Sequence, residues 1–350
     1  MTNYLTRRTQ AIVLYNGKNI SDSLAPYLKN LTVTDNIGGC ADDLQITLED
    51  RASLWQGLWL PEIGATLDVS LVCENWPELS GTVYRLGLFE IDEVTSSAPP
   101  SEVQIKAVSV PDDNHLRGVE RTRSWEKAEL KRIANDIATG ATLTLRYETN
   151  YNPIIDRAEQ SAESDLMFLC KLLQDYGLAL KIFDKKLVIF DEADYEKAKP
   201  TIKIHFPRTN SSQSTAFDIT AITGYSLKRK LRDVYKACHV KYQNGKKKIK
   251  FEAAFTDPHK ASGKTLEINE QVKNQAEADR LAKKRLRAKN CQETTGSFSL
   301  LGNPLLLASN TIALNGFGSY DGSYIITRAT HTIGDGFTTD IEIRRCLDGY

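Results

Sequence analysis

Asn274-Gln-Ala-Glu277-Ala278-Asp-Arg-Leu281-Ala282-Lys283-Lys284-Arg285-Leu286 opens the stretch that decides the fold, which runs on to Arg344. Asn274 can cap a helix, and Glu277 stands three places on, at capping-box spacing. Ala278, Leu281, Ala282 and Leu286 then form one narrow apolar stripe. After this helix the period changes to two. Gly296-Ser-Phe-Ser-Leu-Leu-Gly302-Asn-Pro304 leads to Thr311-Ile-Ala-Leu314, and the turn Gly316-Phe-Gly318-Ser-Tyr-Asp-Gly322 leads to Tyr324-Ile-Ile326-Thr-Arg-Ala329. His331 and Gly336-Phe-Thr-Thr-Asp-Ile341-Glu-Ile343 complete the run. Alternating apolar residues bounded by Gly, Asn and Asp predict short antiparallel strands joined by tight turns.

Upstream, residues to about 112 also alternate, in Leu31-Thr-Val33, Leu44-Gln-Ile-Thr-Leu48, Leu67-Asp-Val-Ser-Leu71 and Val103-Gln-Ile-Lys-Ala107. Asn36-Ile-Gly-Gly39, Pro61-Glu-Ile-Gly64 and Ala98-Pro-Pro-Ser101 punctuate them as turns. Between about 113 and 199 helical periodicity appears. Ser124 can cap a helix carrying Leu130, Ile133, Ala134 and Ile137 and ended by Gly140, and a second helix from near Ser161 is closed by Gly177. Leu178–Phe183 and Leu187–Phe190 read as a hairpin over Asp184-Lys-Lys186, and Asn244-Gly245 marks another hairpin. Gly87-Leu-Phe89-Glu-Ile91 and Gly322-Ser-Tyr324-Ile-Ile326 place a glycine, an aromatic and an isoleucine at the same spacing. Each follows a proline-containing turn and an alternating strand (Pro61 then Leu67, Pro304 then Ile312). The expected fold is mainly β with α+β character. Two similar antiparallel β-barrel domains, 1–112 and 200–350, flank a small α/β module at 113–199, and the second barrel contains the basic helix near 274–289.

These motifs resemble the late control protein D family, the baseplate hub proteins of contractile phage tails, related to the hub part of VgrG spikes. The resemblance rests on the helix, the Leu301-Gly302-Asn303-Pro304 step, the Asp321-Gly322-Ser323-Tyr324 strand, and the Ala329-Thr-His331 and Gly336-Phe337-Thr338-Thr339 pair. It extends to Gln160-Ser-Ala-Glu-Ser-Asp165-Leu-Met-Phe168-Leu with Tyr176-Gly177. It implies a homotrimeric ring in which two barrels per chain present a quasi-sixfold face to the tail tube. A central spike protein and other baseplate or tape-measure proteins are the further partners it implies, with a channel for ejection and a place in the virion tail after synthesis in the host cytoplasm. A hub of a phage-derived injection particle or of a non-contractile tail is the neighbouring alternative.

The chemistry of the residues points the same way. The chain has 350 residues, 41% hydrophobic and 26% charged, which calls for two or three cores. No run of about 18 apolar residues suggests a membrane span, and Met1-Thr-Asn-Tyr-Leu-Thr-Arg-Arg8 lacks the apolar core of a signal peptide. The six scattered cysteines contain no C-x-x-C pair, which predicts reduced, mostly buried thiols and no zinc site. There is no nucleophile elbow, H-E-x-x-H, phosphate loop or dinucleotide fingerprint, so no catalytic residue, metal or cofactor is expected. Paired-carboxylate glycosidases leave no local signature, which keeps a tail-associated carbohydrate-cleaving enzyme as the alternative from another class. Cys238 and His239 adjoin on a strand and point to opposite faces. His331 reads as a strand-end histidine bonded to a turn, Asp42-Asp43 and Glu49-Asp50-Arg51 as solvent-facing strand ends, and Ser164-Asp165 as a helix cap.

Net charge is zero, yet residues 228–289 hold 19 Lys/Arg against 7 Asp/Glu. Such segregation implies two surfaces with different surroundings. Arg280, Lys283, Lys284, Arg285 and Arg287 read as the wet face of the helix. Lys283, Lys284 and Arg285 are the candidates for facing a partner or a lumen, with at most transient, salt-sensitive contact to DNA. The Lys246–Lys250 run reads as a lysine-decorated exposed strand.

Overall fold

The computed structural model describes residues 6–39, 41–76, 78–110, 116–206, 214–244, 249–272 and 274–349. The first unit comprises β1 (Arg8–Tyr15), β2 (Lys18–Asn19), the one-turn helix α1 (Ser21–Leu24), β3 (Leu28–Asn36), β4 (Asp43–Glu49), β5 (Thr66–Glu74), β6 (Val83–Ser97) and β7 (Glu102–Val108). The two-residue period sends alternate side chains inward, so Leu31, Val33, Leu44, Ile46, Leu48, Leu67 and Phe89 meet in one core.

The central module holds β8 (Glu120–Glu129), α2 (Leu130–Gly140), β9 (Thr144–Glu148), β10 (Ile154–Ser164), α3 (Asp165–Asp175), β11 (Ala179–Phe183), β12 (Lys186–Phe190) and α4 (Glu192–Glu196). Both main helices begin later than the sequence predicts. Ser124 lies inside β8, and residues 161–164 end β10, because β8 and β10 pair as a largely exposed antiparallel ribbon. Ser164 does cap α3, its Oγ accepting from Met167 N at 3.3 Å. The adjoining Asp165 is buried and accepts from Arg123 and Gln160.

The last stretch contains β13 (Ile202–His205), β14 (Asp218–Ile219), β15 (Ile222–Arg229), β16 (Ala237–Asn244), β17 (Ile249–Thr256), β18 (Thr265–Ile268), α5 (Gln275–Asn290), β19 (Thr294–Leu301), β20 (Thr311–Asn315), β21 (Gly322–Ile333) and β22 (Phe337–Arg345). It is not one barrel. β16, β17 and β18 form a separate sheet covered by α5, whose Ala278, Ala282 and Leu286 pack on Cys238, Val240 and Ala253. The turn at Gly245 and Lys246–Lys248 lies outside the described residues.

The remaining strands join those of the first unit in one 14-stranded sheet. Two paths run through it: β2-β1-β5-β6-β7-β4-β3 and β14-β13-β20-β21-β22-β19-β15. Among the described residues no pairing links the ends of either path, so strand hydrogen bonds do not close the expected barrels. The paths match over five strands, β5-β6-β7-β4-β3 against β20-β21-β22-β19-β15. Phe89 faces Leu67 as Tyr324 faces Ile312. A bulge follows Ile91 on β6 and Ile326 on β21, and another follows Leu28 on β3 and Ile222 on β15. Gly87 and Gly322 adopt φ of 150° and 136°, a region suited to glycine. The loops before β5 and β20 end alike: Gly64 N and Ser309 N donate to the Ile91 and Ile326 carbonyls, at 2.8 and 2.9 Å. The match ends at the outer strands, where β1 runs antiparallel to β5 but β13 runs parallel to β20.

The Leu-Gly-x-Pro step meets the Gly-Phe pair in space. Gly302 N donates to the Phe337 carbonyl at 2.8 Å, and a Cβ on Gly302 would lie 2.1 Å from the Phe337 ring. That ring is buried and packs edge-on to Trp76. Gly302→Ala must therefore displace a core aromatic and is expected to cost about 2 kcal/mol, read as a lower midpoint in denaturant melts.

Candidate functional site

Helix α5 starts as its sequence predicts, with Asn274 Oδ1 accepting from Glu277 N at 2.9 Å. Its basic residues, however, do not make a wet face. Arg280 stacks 3.3 Å above the Tyr151 ring, Arg287 is buried against Glu196, and Lys284 Nζ lies 2.5 Å from Asp191. Arg285 pairs with Glu270 at 2.8 Å, and the Lys283 ammonium sits over the Phe255 ring at 5.6 Å. Of the three partner or lumen candidates, Lys284 and Arg285 thus hold acidic groups of their own chain. Lys260 and Arg229 likewise share Glu293. Much of the basic segment's charge is met within the chain, because α5 is the seam between the module and the β16–β18 layer.

The Lys284 contact is tight. The stem crosses Gly177, whose φ of 67° closes α3, and a Cβ there would lie 2.6 Å from Lys284 Cδ. Burial lowers the Lys284 ammonium from its ordinary pKa, with Asp191 opposing that change. Lys284→Ala leaves Asp191 without its nearest cation and is expected to cost about 2 kcal/mol in chemical denaturation. Lys283→Glu should leave the denaturation midpoint near wild type, so it tests partner docking without breaking the seam.

A second seam corrects the reading of the acidic strand ends. Asp42 and Asp50 are buried. Asp42 accepts from Asn36 N at 2.8 Å and lies 3.5 Å from Lys181, and burial pushes its carboxyl up to about 7. Asp35 also pairs with Lys181 and accepts from Ala308 N at 2.8 Å, joining β3, the module and the loop before β20. Asp50 accepts from Trp55 N at 3.1 Å, while Asp43 is exposed.

His331 is fully buried in β21, with the Leu306 backbone of the loop before β20 as a hydrogen-bond partner. Its Nδ1 lies 3.0 Å from Thr339 Oγ1 on β22, and burial lowers its pKa to about 4. His239 lies beside Glu252 at 2.8 Å while Cys238 faces the core. Five described cysteines are free, two of them buried and three partly exposed. Among the described residues no group of three His, Cys, Asp or Glu could hold a metal ion. No described helix is long and apolar enough to cross a membrane. What the geometry offers is seams and open strand edges.

A family model described as the phage tail baseplate hub matches residues 91–337. The chain belongs to the phage tail baseplate hub family. It is 25% identical to the probable baseplate hub protein of Escherichia phage 186, across 94% of this chain and 90% of that protein. Its fold is similar to the tail protein from Neisseria meningitidis MC58, with a TM-score of 0.71 at 14% identity over 97% of both chains. It is also similar to an Escherichia coli component of the type VI secretion system, with a TM-score of 0.55 at 11% identity over 99% of this chain and 78% of that one. Baseplate hub proteins are structural components of the virion tail, not enzymes.

Among the described residues, the β6 and β15 edges of the baseplate hub chain's 14-stranded sheet are open. Beyond Ile91, β6 pairs only with β7 among the described residues, and β15 pairs only with β19. Leu58, Trp59, Leu60 and Ile63 are exposed in the loop that leads to β5. Alternation alone could not reveal which edges the fold leaves open.

Proposed function

We propose that three copies of this hub close into a ring that joins a sixfold tail tube to a threefold central spike and leaves a channel for ejection. The observation that supports this reading is the internal duplication: two units with matching strand order and matching bulges occur in each chain. Three such chains offer six similar units to one neighbour while remaining threefold toward another. One chain thereby serves two symmetries. Other baseplate or tape-measure proteins would meet the outer surfaces, Lys283 on α5 being one candidate contact, and DNA would touch the lumen only weakly and in a salt-sensitive way.

Light scattering on the purified chain is expected to give three times the 39.2 kDa chain mass, and electron images should contain rings with six lobes. A species that stays monomeric at every accessible concentration, or rings without sixfold modulation, would sink this reading.

A further inference from the structure

The three parts of the chain meet at one lysine. Asp35 lies near the end of β3, Asp42 stands just before β4, and Lys181 sits on β11 of the module. Their side chains are 14%, 5% and 16% exposed. Lys181 Nζ pairs with Asp35, lies 3.5 Å from Asp42 Oδ2 and donates to the Asn36 carbonyl at 2.9 Å. The second oxygen of Asp35 accepts from Ala308 N in the loop before β20, so the same group also holds the second unit. Backbone ties surround the cluster. Gly39 N donates to the Leu180 carbonyl and Ile37 N to the Thr327 carbonyl, both at 2.9 Å. Ile37, Phe190, Ala308 and Ile325 form a small apolar cluster to which all three parts contribute.

The charges of this joint do not cancel. Two buried carboxylates face one ammonium. Arg328 of β21 is committed elsewhere, to Glu342 at 3.3 Å and to the Asn36 side chain at 3.1 Å. Asp43 on β4 is exposed and feels Arg328 and Arg117. His331 on β21 stays neutral down to about pH 4 and supplies no cation. An uncompensated charge in a buried site is costly, and a proton on one carboxylate removes it. Asp42 is the deeper of the two acids. Burial pushes its carboxyl up to about 7, with Lys181 opposing the change and Asp35 adding to it.

We propose that Asp35, Asp42 and Lys181 form a proton latch between the module and the two sheet units. One proton keeps the joint closed. Ionisation of Asp42 leaves an excess negative charge inside it and drives β11 away from the segment between β3 and β4. Once opened to water, Asp42 returns to the ordinary carboxylate range, so the closed joint holds a proton that the open one releases. Opening therefore becomes easier as pH rises toward 7, and its dependence on pH ends above that value.

Hydrogen exchange on the full-length chain tests this, followed by mass spectrometry from about pH 5 to about pH 9 and corrected for the intrinsic rate. The amides of Gly39 and Ala308 bond across the joint and report its opening. Their protection is expected to fall about tenfold per pH unit up to about pH 7 and then to level off, while peptides of β4 show no such trend. Asp42→Asn should abolish the slope. Because Lys181 lowers the Asp42 carboxyl and Asp35 raises it, Lys181→Met should move the levelling-off to higher pH and Asp35→Asn to lower pH. A purely structural joint would weaken in both variants without moving it. Protection that tracks only the intrinsic rate, a slope retained in Asp42→Asn, or an equal slope in β4 overturns the latch. If Asp42→Asn does not fold, the other two variants decide: opposite shifts support the latch, and shifts of one sign or none overturn it.

Discussion

Glu196→Ala is expected to destabilise the hub by about 3–5 kcal/mol, the cost of leaving buried arginines without their carboxylate. Glu196 sits on α4 with its side chain 2% exposed, and it accepts from both Arg287 of α5 and Arg344 of β22, themselves 7% and 4% exposed. Its second oxygen accepts from Leu347 N at 2.9 Å, and Arg344 also reaches Glu192 at 2.6 Å. Three segments distant in sequence are thus tied through one carboxylate. Desolvating such a network is itself costly, so the charge is not what the fold needs most. Replacing Glu196, Arg287 and Arg344 together by Leu, Met and Met should therefore be less damaging than Glu196→Ala alone. Denaturant melts of the two variants check this, and a triple variant worse than the single one would refute it.

The second large effect is on pH dependence. The unfolded imidazole of His331 titrates near 6.5 and the folded one at about 4, because full burial opposes its charged form. Between those values the unfolded chain binds a proton that the folded chain refuses. Its contribution is complete above about pH 6.5 and is lost as pH falls to 4, by about 3 kcal/mol at about 1.4 kcal/mol per pH unit. Asp42 runs the other way. Its folded carboxyl takes up a proton near pH 7, so acidification through that range relieves a buried charge. The difference between wild type and His331→Gln isolates the histidine: the variant's stability should decline less from pH 6.5 to 4. Equal declines would show that His331 does not carry the dependence.

Much of the fold was legible because period two and turn residues are local signals. Leu44, Ile46 and Leu48 announced their inward face, Asn274 its cap, and Gly87 and Gly322 a shared strand motif. Depth was not legible. Asp42, Asp50 and Arg287 are charged letters whose burial depends on partners such as Lys181 and Glu196, far away in sequence. Lys284 and Asp191 are 93 positions apart, and nothing near either residue foretells the other. Ser124 failed as a helix cap because the β8–β10 ribbon consumes the segment before α2, and the ribbon buries too little to leave a clear apolar pattern. The first unit was also the weakest in family resemblance, and the matching family model begins only at residue 91. For the candidate site, the surplus of basic residues was visible but its direction was not. The open edges emerge only once strand order is known.

The pairing of β3 with β21 also has a cost in time. Thr32 and its neighbour Thr332 are 300 positions apart, so the ribosome delivers one long before the other. At roughly 5–20 residues per second, the early strand waits about 15–60 s for its partner. During that interval its hydrogen-bonding groups are exposed on a nascent chain in a crowded polysome, where another nascent copy offers the same edge. A prematurely released chain lacking β21 would keep that edge indefinitely and should be the aggregation-prone form of this hub.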